Sequence, residues 1–221
     1  MQVIAIASQK GGSGKTTLAG HLAVEAERRG LGPVALIDTD PQGSLADWWN
    51  AREATTPAFV ETVVSRLGQD LERVRAVGTS LVFIDTPPAI TATIVEVVRF
   101  ADLVVIPVRP SPHDLGAAGA TVDLVERLGK PLVFVINAAS ARARITAEAA
   151  IALSQHGTLA PSIVHHRTDF AASMIDGRTV MELAKGERSA EEIAALWEYL
   201  HKRLAPRTEV LSEPLEERVA S

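Results

Sequence analysis

Residues 8–17, SQKGGSGKTT, place three glycines, two lysines and two threonines in ten positions. Gly11, Gly12 and Gly14 let the backbone curl with its N–H groups pointing inward, and they leave no side chain to keep phosphate oxygens away. A helix that starts at Lys15 or Thr16 aims its positive dipole end at the same point. Lys15 adds a point charge for outer phosphates, and the Thr16 hydroxyl is a candidate ligand for Mg²⁺. With Ser13 and Thr17 completing the loop, the segment describes a site for a nucleoside triphosphate. A plain glycine-rich turn is the bland alternative. A dinucleotide fingerprint fails, because Thr17 stands where the pattern begun by Gly12 and Gly14 needs glycine.

Other segments carry the polar groups such a site needs. Asp38 and Asp40, in DTDPQGS, follow an apolar run and fall at the carboxyl end of a strand, the edge where open α/β sheets bind ligands. Asp40 is suited to orient an attacking water and accept its proton, and Asp38 to support Mg²⁺ or its waters. An Asp-Pro turn is the simpler use of the same residues. Residues 81–88, LVFIDTPP, read as an apolar strand ending in Asp85, which would reach Mg²⁺ through a water from beside the glycine loop. Residues 132–137, LVFVIN, end another strand with Asn137. Its amide can donate to and accept from an adenine edge at once, although a turn or cap residue is common at such a place.

These residues act together only if strands deliver them to one edge. Apolar, β-branched runs at 3–7, 34–37, 81–84, 103–108 and 132–136 are near-continuous rather than alternating, with 159–164 as a further candidate. That pattern suits strands covered on both faces. Helix-period segments lie between them at 15–29, 94–101, 115–128, 145–156 and 190–204. The first places Leu18, Leu22, Val24 and Ala26 along one side and stops at Gly30. The last carries a seam of Ile193, Trp197, Leu200 and Leu204. Strand and helix in alternation predict an α/β fold, a mostly parallel twisted sheet with helices on both faces.

Position 9 sets the glycine loop apart. The standard phosphate-loop pattern has glycine five residues before Gly14, whereas this chain has Gln9 there and an extra lysine, Lys10, before the glycine pair. The resulting KGGSGKT resembles the deviant Walker A signature of the ParA/MinD class of ATPases. DTDPQGS and DTPP resemble that family's two switch segments. The resemblance runs over about residues 1–205 and is nearest to the short, single-domain ParA proteins, with a P-loop NTPase fold of the SIMIBI type. It implies ATP and Mg²⁺ as cofactors, Asp40 as the hydrolytic carboxylate, Asp85 as the Walker B residue and Asn137 at the base. It also implies that Lys10 crosses to the nucleotide of a second copy in a face-to-face homodimer. A cation supplied that way raises phosphoryl transfer by on the order of 10³–10⁵. ATP would hold the copies together, and hydrolysis would release them. Residues 106–119, IPVRPSPHDLGAAG, resemble the family's proline-rich element at the dimer interface, or are a rigid strand-to-helix connection.

Composition narrows the class. The chain has 221 residues, with Lys plus Arg 22, Asp plus Glu 27 and net charge −5. That allows one ATPase domain over residues 1–205 and an acidic, loosely held tail over 206–221. The absence of Cys excludes Cys-ligated zinc, iron–sulfur clusters and thiol nucleophiles, and with them the nitrogenase-reductase, cluster-loading and thiol-dependent arsenite-pump relatives. No apolar run reaches the roughly 18 residues of a spanning helix. The tail sets Arg207 and Arg218 against Glu209, Glu213, Glu216 and Glu217, the wrong charge for the membrane helix of a MinD-like protein. Residues 137–188 hold six basic against five acidic residues. By resemblance, Arg167 and Arg188 are the candidate contacts for non-specific DNA, with scattered surface arginines as the alternative. The expectation is a cytoplasmic Mg-ATPase, nucleoid-associated as an ATP dimer and independent of membrane. It would work with a ParB-like or cargo-adaptor protein to position a plasmid, a chromosome or a protein cluster. A MinD-like membrane-positioning ATPase and a metabolic ATP-dependent ligase on the same scaffold are the alternatives.

Overall fold

The structure is a computed structural model that describes residues 1–89 and 92–204, so the tail at 206–221 lies outside the described residues. The strands are β1 (Gln2–Ile6), β2 (Val34–Asp38), β3 (Ala58–Phe59), β4 (Leu81–Asp85), β5 (Leu103–Val108), β6 (Leu132–Ile136) and β7 (Thr158–Leu159). All pair in parallel, in the order β3-β2-β4-β1-β5-β6-β7. Successive side chains of a strand point to opposite faces. Within β1, Ile4 and Ile6 therefore enter one hydrophobic core while Val3 and Ala5 enter the other. Both faces are dry, which is why the runs are continuously apolar.

One face carries α1 (Lys15–Arg28), α2 (Ser44–Asn50), α7 (Thr168–Met174) and α8 (Glu187–Leu204). The other carries α3 (Leu67–Ala76), α4 (Ala92–Phe100), α5 (Pro112–Arg127) and α6 (Arg144–Ser154). The α8 seam is core, with Ile193, Trp197, Leu200 and Leu204 all buried and the Trp197 ring 5.9 Å from that of Phe83. α1 gives way to Gly30, whose φ of +75° suits a residue without Cβ. Among the described residues no helix is long and apolar enough to cross a membrane.

The architecture matches the predicted class, with local differences. The run at 159–164 is strand only at Thr158–Leu159: Pro161 has no N–H to give the ladder, and the chain meets β6 again at Val164, whose N–H reaches the Ile136 carbonyl at 3.0 Å. Three helices, α2, α3 and α7, and the two-residue edge strand β3 are absent from the sequence reading. The trace that matters for function is the reversal at β1. From it the chain moves to β2 on one side, past β4, and later returns to β5 on the other. Ligands bind outside the carboxyl ends of strands at such a switch point. The segments after β1, β2, β4 and β5 all open there.

Candidate active site

The loop between β1 and α1 is built to receive an anion. Gly14 is the N-terminal cap of α1 in the left-handed conformation, with no side-chain cap and no acidic residue in the first turn. The first N–H groups of α1 are therefore uncapped by side chains, and the helix dipole favours negative charge there. Gly14 has a second reason to be glycine, because a Cβ would lie 2.1 Å from Nδ2 of Asn137. Lys15 is 7% exposed, and its Nζ stands 3.4 Å from the Lys10 carbonyl oxygen. Burial pulls its pKa below the usual lysine value, and the nearby carboxylates of Asp85 and Asp40 oppose that shift.

β2 and β4 bring the carboxylates. Asp85 ends β4 only 1% exposed and accepts a hydrogen bond of 2.5 Å from the Thr16 hydroxyl. Burial pushes its pKa up to about 7, and the charge of Asp38 adds to the effect. A buried carboxylate beside a hydroxyl is a place where a cation lowers the energy. Among the described residues no group of three or more His, Asp or Glu could hold a metal alone. A hard cation here would draw its remaining oxygens from a nucleotide and water, which is how Mg²⁺ is usually held. The residues fit that ion.

Asp38 has a structural task in the turn that follows β2. Its carboxylate accepts from the N–H groups of Asp40, Leu45 and Ala46 at 2.9, 3.0 and 3.1 Å. It shapes the turn and caps the first N–H groups of α2. Asp40 lines the cleft, with Oδ1 accepting from the Gln42 N–H at 3.0 Å and Oδ2 without a donor among the described residues. The two switch segments are tied together where the Thr39 N–H and hydroxyl both reach the Asp85 carbonyl, at 3.0 and 2.6 Å.

The cleft has a volume of about 730 Å³ and is lined by Gly12, Gly14, Thr16, Asp40, Trp48 and Arg109 among others. That is room for a nucleotide. Lys10 is exposed and outside this lining. Asn137, whose amide suits an adenine edge or a cap, is 6% exposed and donates from Nδ2 to the Ser13 carbonyl at 2.6 Å. It props the loop from behind. Trp48 packs over Gly20 of α1 and donates to the Arg178 carbonyl at 3.1 Å. Arg109, which follows β5, was not singled out by residue type. Its signal was position, at the carboxyl edge of a strand flanking the switch point.

The candidate DNA contacts divide. Arg167 is paired with Glu192, which also accepts from His165, so its charge is already engaged. Arg144 pairs with Glu148 and Arg178 with Asp176 in the same way. Arg188 and Lys185 are exposed and have no ion-pair partner among the described residues.

Behind the loop, α1 buries His21 completely. Its Nδ1–H donates to the Thr17 carbonyl at 2.8 Å, while Nε2 accepts from the Val180 N–H at 3.2 Å. Burial pushes its pKa from 6.5 down to about 4. Between those values the unfolded chain binds a proton that the folded chain refuses. The His21 contribution to stability is therefore full above the unfolded value and is lost as pH falls. Asp85 has the opposite sign. Its pKa rises from 3.8 to about 7, so its contribution is full at low pH and is lost as pH rises through about 7. In the intact chain the two slopes oppose each other over a shared window. Asp85→Asn is expected to expose the His21 slope, a loss approaching ~1.4 kcal/mol per pH unit on acidification from pH 6.5 toward 4. Urea unfolding at a series of pH values measures it; an unchanged profile in Asp85→Asn contradicts the assignment.

Comparison with known proteins gives the family. Residues 4–180 match the family described as the CobQ/CobB/MinD/ParA nucleotide binding domain. The chain belongs to this family. It is a ParA/MinD-type ATPase. It is 29% identical over 202 residues to the maintenance of carboxysome distribution protein A of Halothiobacillus neapolitanus, covering 86% of this chain and 92% of that one. It is 31% identical over 153 residues to the chromosome-partitioning ATPase Soj of Thermus thermophilus, covering 56% of this chain and 61% of that one. Among solved structures, an ATP complex of an McdA variant from Cyanothece superposes with a TM-score of 0.73 at 18% identity, over 91% of this chain and 96% of that one. At that identity the likeness shows the fold.

Proposed function

We propose that this ParA/MinD-type ATPase is Mg²⁺-dependent, pairs with a second copy when ATP is bound, holds DNA non-specifically in that state and positions a cargo. The observation that carries the reading is the division of labour between two lysines. Lys15 is buried inside the nucleotide cleft, whereas Lys10, five residues earlier, is exposed outside it. A lysine on the rim of a phosphate loop that does not serve its own site is available to another copy.

Thr16 and Asp85 would hold the metal, which when bound spreads the charge developing on the phosphates. The chain's own groups do the rest. The N–H groups of the loop and Lys15 fix the triphosphate. Oδ2 of Asp40 orients the attacking water and takes its proton. Asp38 sets the switch turn and thereby the place of Asp40. Lys10 of the second copy stabilises the leaving charge.

The cargo reading draws on the Halothiobacillus relative, named for carboxysome distribution, which spans most of both chains. It supports a protein assembly as the cargo; a separate adaptor protein that stimulates hydrolysis is part of the same proposal. Arg188 and Lys185 are the DNA contacts we favour over Arg167, since they have no ion-pair partner among the described residues, and pairing two copies doubles their number.

DNA binding by the full chain, read by fluorescence anisotropy with and without ATP and Mg²⁺, tests the reading. The expected result is binding that needs ATP and falls about tenfold or more between 50 and 200 mM salt. Arg188→Ala combined with Lys185→Ala should remove it. ATP-loaded protein that ignores DNA at low salt but sediments with anionic liposomes would favour membrane positioning instead.

A further inference from the structure

The cleft is electrically lopsided. Asp38 ends β2 with Asp40 just beyond it, Asp85 ends β4, and both strands lie on one side of β1. β5 lies on the other side, and the first side chain beyond it is Arg109. The phosphate loop runs between the two banks, so carboxylates face it from one and a guanidinium from the other.

Arg109 rests against the loop itself. A Cβ on Gly12 would lie 3.6 Å from its Nη2 and 3.9 Å from Nη1, and Arg109 lines the same cleft as Gly14, Lys15 and Thr16. The guanidinium has no hydrogen-bond or ion-pair partner among the described residues. An unpaired cation beside an anion cradle is a group waiting for its anion. The structure also indicates which part of that anion. Nζ of Lys15 stands 3.4 Å from the Lys10 carbonyl, so the tip of the loop converges with the ammonium that serves the outer phosphates. Gly12, and Arg109 with it, belongs to that end.

We infer that Arg109 binds the terminal phosphate of ATP in its own chain. This rests on the proposed nucleotide site and adds a residue to it. A metal held by Thr16 and Asp85 would neutralise the phosphate oxygens facing β4. The oxygens facing β5 meet no metal ligand, and Arg109 supplies their charge. Lys10 does not duplicate this role, because it lies outside the cleft lining. Arginine suits the place, since its planar fork can give two parallel N–H donors to one phosphate.

Arg109 is exposed, so truncating it leaves the core intact. The test titrates the full chain with fluorescent ATP and ADP analogues in Mg²⁺ buffer. Arg109→Ala is expected to weaken ATP binding by about tenfold or more while ADP binding changes less than threefold, as for loss of one charge-assisted bond. Arg109→Lys should recover part of the ATP affinity. Equal loss for ATP and ADP, or no loss for either, overturns the assignment. A parent chain that binds neither nucleotide would defeat the underlying site instead, so the two failures are distinguishable.

Discussion

Lys10→Ala is expected to lower turnover by the paired ATPase by about 10³-fold or more, and to abolish ATP-driven pairing, while ATP still binds the single chain. The side chain is exposed on the rim of the phosphate loop, and the residue is tied to the loop through its backbone, whose carbonyl accepts from Lys15 Nζ and whose N–H donates to Ser8 Oγ. Removing it leaves the cradle whole. In an isologous pair the same lysine appears twice, so one substitution removes both crossing cations. Two triphosphates facing each other would then repel without compensation. Light scattering with a non-hydrolysable ATP analogue and Mg²⁺ reads the pairing, and a fluorescent nucleotide reads the binding. A Lys10→Ala chain that pairs like the parent would end the crossing-lysine account.

The second large effect belongs to Asp40. Asp40→Ala should bind ATP, accumulate as the paired form and hydrolyse about 10²–10⁴-fold more slowly, the usual loss when a general base is removed. One of its oxygens holds the turn through the Gln42 N–H at 3.0 Å, and the other has no donor among the described residues. That division separates chemistry from scaffolding. Asp40→Asn keeps an acceptor for Gln42 but no base, so it should be as slow as the alanine variant. Single-turnover hydrolysis measures both. Turnover near the parent rate in either variant takes Asp40 out of the reaction.

Much of this site could be read from residue order, because a phosphate loop is a local object. Ten consecutive residues supply the glycines, Lys15 and Thr16, and the strand before and helix after them are neighbours in the chain. Asp40 and Asp85 were legible for a related reason: each follows an apolar run, and the end of a parallel strand delivers its last residue to the ligand edge. The short elements were harder. α2 has seven residues, too few for a period to stand out, and its capping carboxylate, Asp38, lies outside the helix. β3 has two residues, paired in the sheet with the edge of β2.

What residue order determined by itself is the chemistry on offer: an anion cradle, an interior lysine, a rim lysine, a metal-competent hydroxyl–carboxylate pair and the α/β frame that carries them. What only the tertiary structure decided is how each polar group is employed. Asn137 serves the loop because Ser13, 124 positions away, comes within 2.6 Å of it. Arg167 is engaged because α8 presents Glu192 to it, and Arg109 stands beside Gly12 because β5 lies next to β1. A charged side chain is defined by its nearest opposite charge, and in a parallel sheet that neighbour is chosen by strand order rather than by distance along the chain.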